Sequence, residues 1–274
     1  MSKLATFIGI ILGLLIVGLS MFDFEKGQVL MAFFNWQGLL VVLGGTLAAT
    51  FINYPLNQMG CAFSGLGKIL FSEPPSDNEA IEQILYLSHI VQKKGILGVE
   101  REIDLLSDPF LKFSISEMMV YRDIDMLKNS LENRLNSMRL RHLGCQDMFN
   151  NMAAYSPAFG MMGTVMGLIM MMTAQMAPTD PDAFSGGSDN MLANLLQGMG
   201  LALVTTFYGV LFANFLFIPT AGKLKVLSDA EIFKNEILIF GVLALKQEQS
   251  PLLLRESMMA FLNEKTQQKL ADVT

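Results

Sequence analysis

Charge is scarce in this chain. Only 16% of its 274 residues are Asp, Glu, Lys or Arg, against about 25% in an ordinary soluble domain. Hydrophobic residues make up 52%, and the mean hydropathy is +0.43. Such a chain is expected to lie partly in lipid. Cysteine and histidine are scarcer still, with Cys61, Cys145, His89 and His142 the full set. That excludes a disulfide framework and a Cys/His zinc site. A net charge of −6 argues against a broad basic surface for nucleic acid. There is no P-loop, no GxSxG elbow and no HExxH pattern, so nothing points to an enzyme or a resident cofactor. The first apolar run is followed by Asp23, Phe24 and Glu25 rather than by a small-residue cleavage site, which argues against a secretory signal.

What is present is apolar sequence in long blocks. No charge occurs in residues 4–22, 27–67, 148–179 or 190–222. A membrane-spanning helix needs about 20 mostly apolar residues. The blocks predict spans near 4–22, 31–53, 154–176 and 196–219. The expected fold is therefore all-α: a polytopic membrane protein with four transmembrane helices and a large helical cytoplasmic domain. Its divisions are a first transmembrane hairpin over 1–53, a cytoplasmic domain over 54–153, a second hairpin over 154–221 and a helical tail over 222–274. Of the 19 Lys and Arg, all but Lys26 fall on one side of these spans. Basic residues mark the cytoplasmic side, so both termini are expected inside. Asp180, Asp182 and Asp189 then lie in an outer loop over 177–190. Both cysteines are expected as free thiols in a reducing compartment.

Within 54–153 the pattern is helical. Pro74 and Pro75 precede a helix start at Ser76-Asp77-Asn78-Glu79. Gly95 and Gly98 interrupt the period, and Asp108-Pro109 reads as a break. From Asp123 the spacing of Leu127, Leu131, Leu135 and Met138 continues a helix that runs on into the third span. The tail is broken near Pro251.

The spans hold no Asp, Glu, Lys, Arg or His. Proton relays use such groups within the membrane, so this chain alone cannot carry protons by carboxylate chemistry. Its polar groups there are mainly hydroxyls: Thr164 and Thr173 in the third span, and Thr205, Thr206 and Tyr208 in the fourth. Oxygens of this kind suit a small cation, but they equally suit interhelical hydrogen bonds. Gly160, Gly163 and Gly167 lie among Met161, Met162 and Met166. The methionines suit either plain packing or an adaptable lining for a moving helix. Lys93, Lys94 and Glu100 flank a Gly-rich bend that suits a solvated turn. Pro157 and Pro219 sit where a proline kinks or ends a helix.

Several segments resemble the MotA/PomA family, the larger stator subunit of the bacterial flagellar motor, within the MotA/TolQ/ExbB superfamily. They are Leu40-Val41-Val42-Leu43-Gly44-Gly45-Thr46, Lys93-Lys94-Gly95-Ile96-Leu97-Gly98-Val99-Glu100, Pro157-Ala158-Phe159-Gly160-Met161-Met162-Gly163-Thr164, and Ala202-Leu203-Val204-Thr205-Thr206-Phe207-Tyr208-Gly209 with Pro219. The resemblance covers nearly the whole chain, and four spans favour MotA/PomA over ExbB and TolQ. It implies a bacterial inner-membrane homopentamer around two copies of a single-span partner of MotB/PomB type, which supplies the membrane Asp. It also implies torque on the rotor protein FliG through Lys93, Lys94 and Glu100. The family's leading arginine falls at Gln92, where this chain departs from the pattern. Pro157, Gly160, Met161, Met162, Gly163 and Pro219 would face the partner or gate the path. Thr164, Thr205, Thr206 and Tyr208 would line it. Thr at both 164 and 206 resembles the sodium-driven, PomA-type members, so transported Na+ is favoured over H+, with Thr164 and Thr206 as its ligands. Alternatives of the same architecture are a motor for gliding, secretion or phage defence, and a passive pore or scaffold.

Overall fold

The computed structural model describes residues 2–23, 28–29, 33–56, 58–60, 67, 75–103, 106–176 and 187–262. Lys26, Cys61, Pro74, Asp180 and Asp182, and the tail after residue 262, lie outside the described residues. Helices dominate. The strands among the described residues are two-residue pieces, with Phe22 opposite Val29 and Asp23 opposite Gln28 in antiparallel register. The chain divides into two compact units: Met1–Ser72 with Gly144–Lys225, and Glu73–Leu143 with Val226–Thr274.

In the first unit, a 19-residue helix spans Ser2–Ser20. The second apolar block begins its helix at Trp36 rather than 31, because Asn35 caps it. The Asn35 backbone is extended and its side chain accepts from the Gly38 N–H at 3.0 Å. That helix runs from Trp36–Leu39 through a π turn at Leu40–Gly44 into Gly45–Asn53. The third block belongs to one helix, Ile124–Met176, with Pro157 inside it. The fourth block starts earlier than expected, at Gly187, so Asp189 is helical rather than in a loop. It also passes Pro219 without ending. Pro219 has no N–H to donate, and its ring crowds the carbonyl one turn back. The helix widens into a π turn at Ala213–Phe217 and continues as Ile218–Lys246.

Three described helical stretches are long and apolar enough to cross a membrane: Trp36–Asn53, Ile124–Thr173 and Leu195–Lys246. The first block forms a shorter apolar helix over Phe7–Ser20. Large apolar side chains point outward across this unit, with Met161 62% and Leu203 70% exposed. A water-facing surface does not carry them in such numbers. Cys145 is disulfide-bonded, which corrects the expectation of a free thiol.

The second unit has an ordinary interior. Ile84 and Leu87 of the Asp77–Lys94 helix pack with Leu111, Ile115, Leu127, Leu131, Leu238 and Val242 in one core. Full burial of each such side chain contributes about 1.5–3 kcal/mol. Asp108-Pro109 is a helix start as well as a break. Asp108 accepts from the Phe110 N–H at 2.8 Å and the Leu111 N–H at 3.1 Å, and Pro109 opens the Pro109–Val120 helix. The other Asp108 carboxylate oxygen holds the Lys234 ammonium, both side chains being largely buried. Burial pushes the nearby Asp77 carboxyl above its ordinary value, and the Lys234 charge opposes that rise. After Pro251 the chain forms one more helix, Pro251–Met259, capped by Ser250.

Candidate functional site

Two helices of the first unit cross at very short range. A Cβ built on Gly160 would stand 3.0 Å from the Thr205 carbonyl oxygen and 3.3 Å from the Gly209 Cα. One on Gly163 would fall 2.5 Å from the Thr205 Cβ, and one on Gly167 would fall 2.6 Å from the Gly198 carbonyl oxygen. Glycine is required there by close backbone approach. Ser156 donates from Oγ to the Gly209 carbonyl at 3.0 Å, fully buried. Gly160 and Gly163, expected to face a partner, therefore face the chain's own Gly187–Phe212 helix.

That crossing sorts the hydroxyls. Thr205 is fully buried beneath Gly163 and donates to the Ala202 carbonyl at 3.0 Å. Tyr208 is also buried. Its Oη donates to the Phe33 carbonyl at 2.6 Å and accepts from the Asn35 N–H at 3.1 Å. Both thus hold the unit together rather than present themselves on its surface. Thr206 is exposed, and Thr164 is partly so. Thr206 donates to the Ala202 carbonyl at 3.2 Å and Thr164 to the Met161 carbonyl at 2.6 Å. With each hydroxyl proton committed to its own helix, the oxygen lone pairs remain the outward-facing feature. Such oxygens accept hydrogen bonds or coordinate a cation.

Around them the surface is soft and apolar. Met161, Met162 and Val165 are each more than half exposed. Pro157 is half-buried and Pro219 exposed. No His, Cys, Asp or Glu cluster suited to a metal ion occurs among the described residues.

The second unit presents the other candidate residues. The Asp77–Lys94 helix ends at Gly95, whose φ of 72° is the left-handed conformation that favours glycine. The Gly95 N–H closes the helix on the Val91 carbonyl at 2.8 Å. The short Leu97–Glu100 helix follows, anchored by the fully buried Val99. Lys93, Lys94 and Glu100 are all exposed. None of their side chains takes part in a hydrogen bond or ion pair with other described residues. The anchored bend thus displays two cations and one anion to whatever approaches.

Sequence reasoning missed Ser156 and Asn35. Asn35 carried a usable signal, a capping residue immediately before an apolar run. Ser156 carried none, since its role depends on which helix lies opposite.

Fold and site together define a helical, polytopic membrane protein whose charge-free blocks offer hydroxyls and close-packed glycines but no Asp, Glu, Lys, Arg or His. The model of the MotA/TolQ/ExbB proton channel family matches residues 102–237. A "Motility protein A" of Treponema phagedenis is 32% identical over 87% of this chain and 86% of its own length. Another, of Treponema pallidum (strain Nichols), is 30% identical over 97% of this chain and 96% of its own. Among solved structures, the flagellar MotAB stator complex from Bacillus subtilis contains a chain that superposes with a TM-score of 0.79 at 25% identity. The match covers 97% of this chain and 98% of that one. The chain belongs to the MotA/TolQ/ExbB proton channel family, on the MotA side of it. It is accordingly an ion-channel-family subunit of the inner membrane and not an enzyme.

Proposed function

We propose that this chain is the ion-conducting stator subunit of a bacterial flagellar motor, with Na+ as the favoured coupling ion over H+. It assembles as a homopentamer around two copies of a single-span partner of MotB/PomB type, with both of its termini in the cytoplasm. The partner supplies the membrane carboxylate that this chain lacks. Inward ion flow turns the ring around the partner, and Lys93, Lys94 and Glu100 pass torque to the rotor protein FliG.

The observation that carries this reading is the contrast at the helix crossing. Thr164 and Thr206 turn hydroxyl oxygens to the open side of a unit whose charge-free blocks hold no Asp, Glu, Lys, Arg or His, while Thr205 and Tyr208 are turned inward. A proton needs only the partner's carboxylate and water. A sodium ion needs several oxygens to replace its hydration shell, and two such threonines add them. The exposed methionines offer a smooth wall against which the partner helix can turn. Thr205, Tyr208, Gly160 and Gly163 act in this scheme by holding the two helices in place, and Pro157 and Pro219 by shaping them.

The test is co-expression with a candidate single-span partner carrying a membrane Asp. Native mass spectrometry of the purified complex should show five copies of this chain with two of the partner. A stable monomer, or a ring that excludes the partner, would overturn the proposal.

A further inference from the structure

A second polar site lies in the same unit, away from Thr164 and Thr206. A cleft of about 390 Å³ is lined by Asn35, Gln37, Thr173 and Gln197, with Met170 and Leu201 as its apolar wall. Among the described residues that line it are four neutral polar side chains and no charge of either sign. Thr173 stands nine positions beyond Thr164 on the same helix, or about 13 Å along its axis.

The polar groups are not consumed by the fold. Thr173 donates its proton to the Ile169 carbonyl at 2.9 Å, which leaves its oxygen free to accept. Asn35 Oδ1 takes one bond from the Gly38 N–H and keeps a second lone pair. The Gln37 and Gln197 residues are exposed, and their side-chain amides take part in no hydrogen bond with other described residues. The cleft is nevertheless built on fixed parts. The Asn35 backbone is tied to Tyr208 Oη. Gly198, which also lines the cleft, packs against the Gly167 carbonyl so closely that a Cβ would come within 2.9 Å of it. Amide and hydroxyl oxygens are thus gathered on a rigid frame.

We propose that this cleft is a vestibule that receives a hydrated monovalent cation before the ion reaches Thr164 and Thr206. This rests on the ion-pathway reading above, under which this end of the unit faces outward. Neutral oxygens attract a cation without trapping it. Conduction needs that balance, since a carboxylate would hold the ion and an ammonium would repel it. The amides exchange some of the ion's water for protein oxygen, and the apolar wall confines it to the polar side.

The experiment uses the whole complex in swimming cells with Gln197→Lys, Gln197→Glu and Gln197→Leu, with membrane levels checked in parallel. Swimming speed is read against external Na+ at fixed pH, and against external pH at fixed Na+. In whichever series the wild type responds, Gln197→Lys raises the half-saturating ion concentration and Gln197→Glu lowers it, each about two- to fivefold, as expected for one charge a few ångströms from the ion. Gln197→Leu produces a smaller rise. Equal shifts for Lys and Glu, or none, overturn the proposal, because a packing role is indifferent to the sign of charge. If either charged variant fails to assemble, Gln37→Lys and Gln37→Glu decide by the same criterion. A wild type that responds to pH alone refutes the sodium assignment, while the sign test in the pH series still decides the vestibule.

Discussion

Ser156 donates its hydroxyl to the backbone carbonyl of Gly209 at 3.0 Å, joining two helices that elsewhere touch through glycine. On either side of that bond a Cβ would meet backbone atoms. The crossing decides which threonines turn inward and which outward, and its integrity can be tested residue by residue.

Gly163→Val and Gly167→Val should each destabilise the complex by about 1–3 kcal/mol, the usual cost of overpacking. Gly200 offers the control, since nothing lies within 4 Å of a Cβ built there. Gly200→Ala should be tolerated. Thermal unfolding in detergent measures all three, and an intact melting temperature in Gly163→Val would contradict the packing described.

Tyr208→Phe removes one hydroxyl that serves both the Phe33 carbonyl and the Asn35 N–H. Leaving buried backbone groups unpaired costs about 1–3 kcal/mol. The loss should appear as a lower melting temperature, and as faster labelling of a cysteine placed at Gln37. Labelling at the wild-type rate would mean that the Tyr208 hydroxyl does not hold this segment.

Much of this was legible in the sequence, because charge-free runs of this length have few alternatives. The helical period through Leu127, Leu131 and Leu135 marked the long helix that enters the third block. The helix ends were less legible. Pro219 looks like a stop, and the π turn that absorbs it depends on packing around Ala213 and Phe217, both buried. The site was half legible. Residue type and spacing selected the four hydroxyl residues together, but only the helix crossing separates Thr205 and Tyr208 from Thr164 and Thr206. Adjacent threonines on one helix differ by about 100° in direction, and no local signal says which faces the neighbour.

Charge reversal at Lys93 or Glu100 should lower torque under load without reducing the membrane level of the complex. Both are exposed and form no ion pair with other described residues, and a single exposed pair contributes about 0–1 kcal/mol. One reversal should therefore weaken motility, and the double reversal should weaken it further. Tethered-cell rotation at several loads measures this. Unchanged torque in the double variant would move the rotor contact elsewhere.

Asp77 gives a pH prediction for the second unit. Burial raises its folded pKa above the ordinary value, with Lys234 opposing. Its contribution to stability is therefore fullest below the unfolded carboxyl value and is lost as pH rises through the raised folded value. Asp77→Asn mimics the protonated form, so the variant should be at least as stable as wild type at pH 7. The two should converge as pH falls toward the ordinary carboxylate range. Melting curves across that window measure it, and a variant clearly less stable at pH 7 would show that the Lys234 attraction outweighs burial.

The proposed role of Thr206 is to offer its oxygen to a passing sodium ion. Its most direct test is swimming speed against external sodium at fixed pH, for wild type and Thr206→Ala, at matched membrane levels of the complex. Alanine is the better helix former, and a membrane hydrogen bond averages only about 0.6 kcal/mol, so a packing threonine would cost little. The account predicts that wild-type speed rises with sodium and that Thr206→Ala falls steeply while the complex still assembles. A wild type indifferent to sodium but stopped by a proton uncoupler, or a Thr206→Ala variant with an unchanged sodium curve, would contradict it.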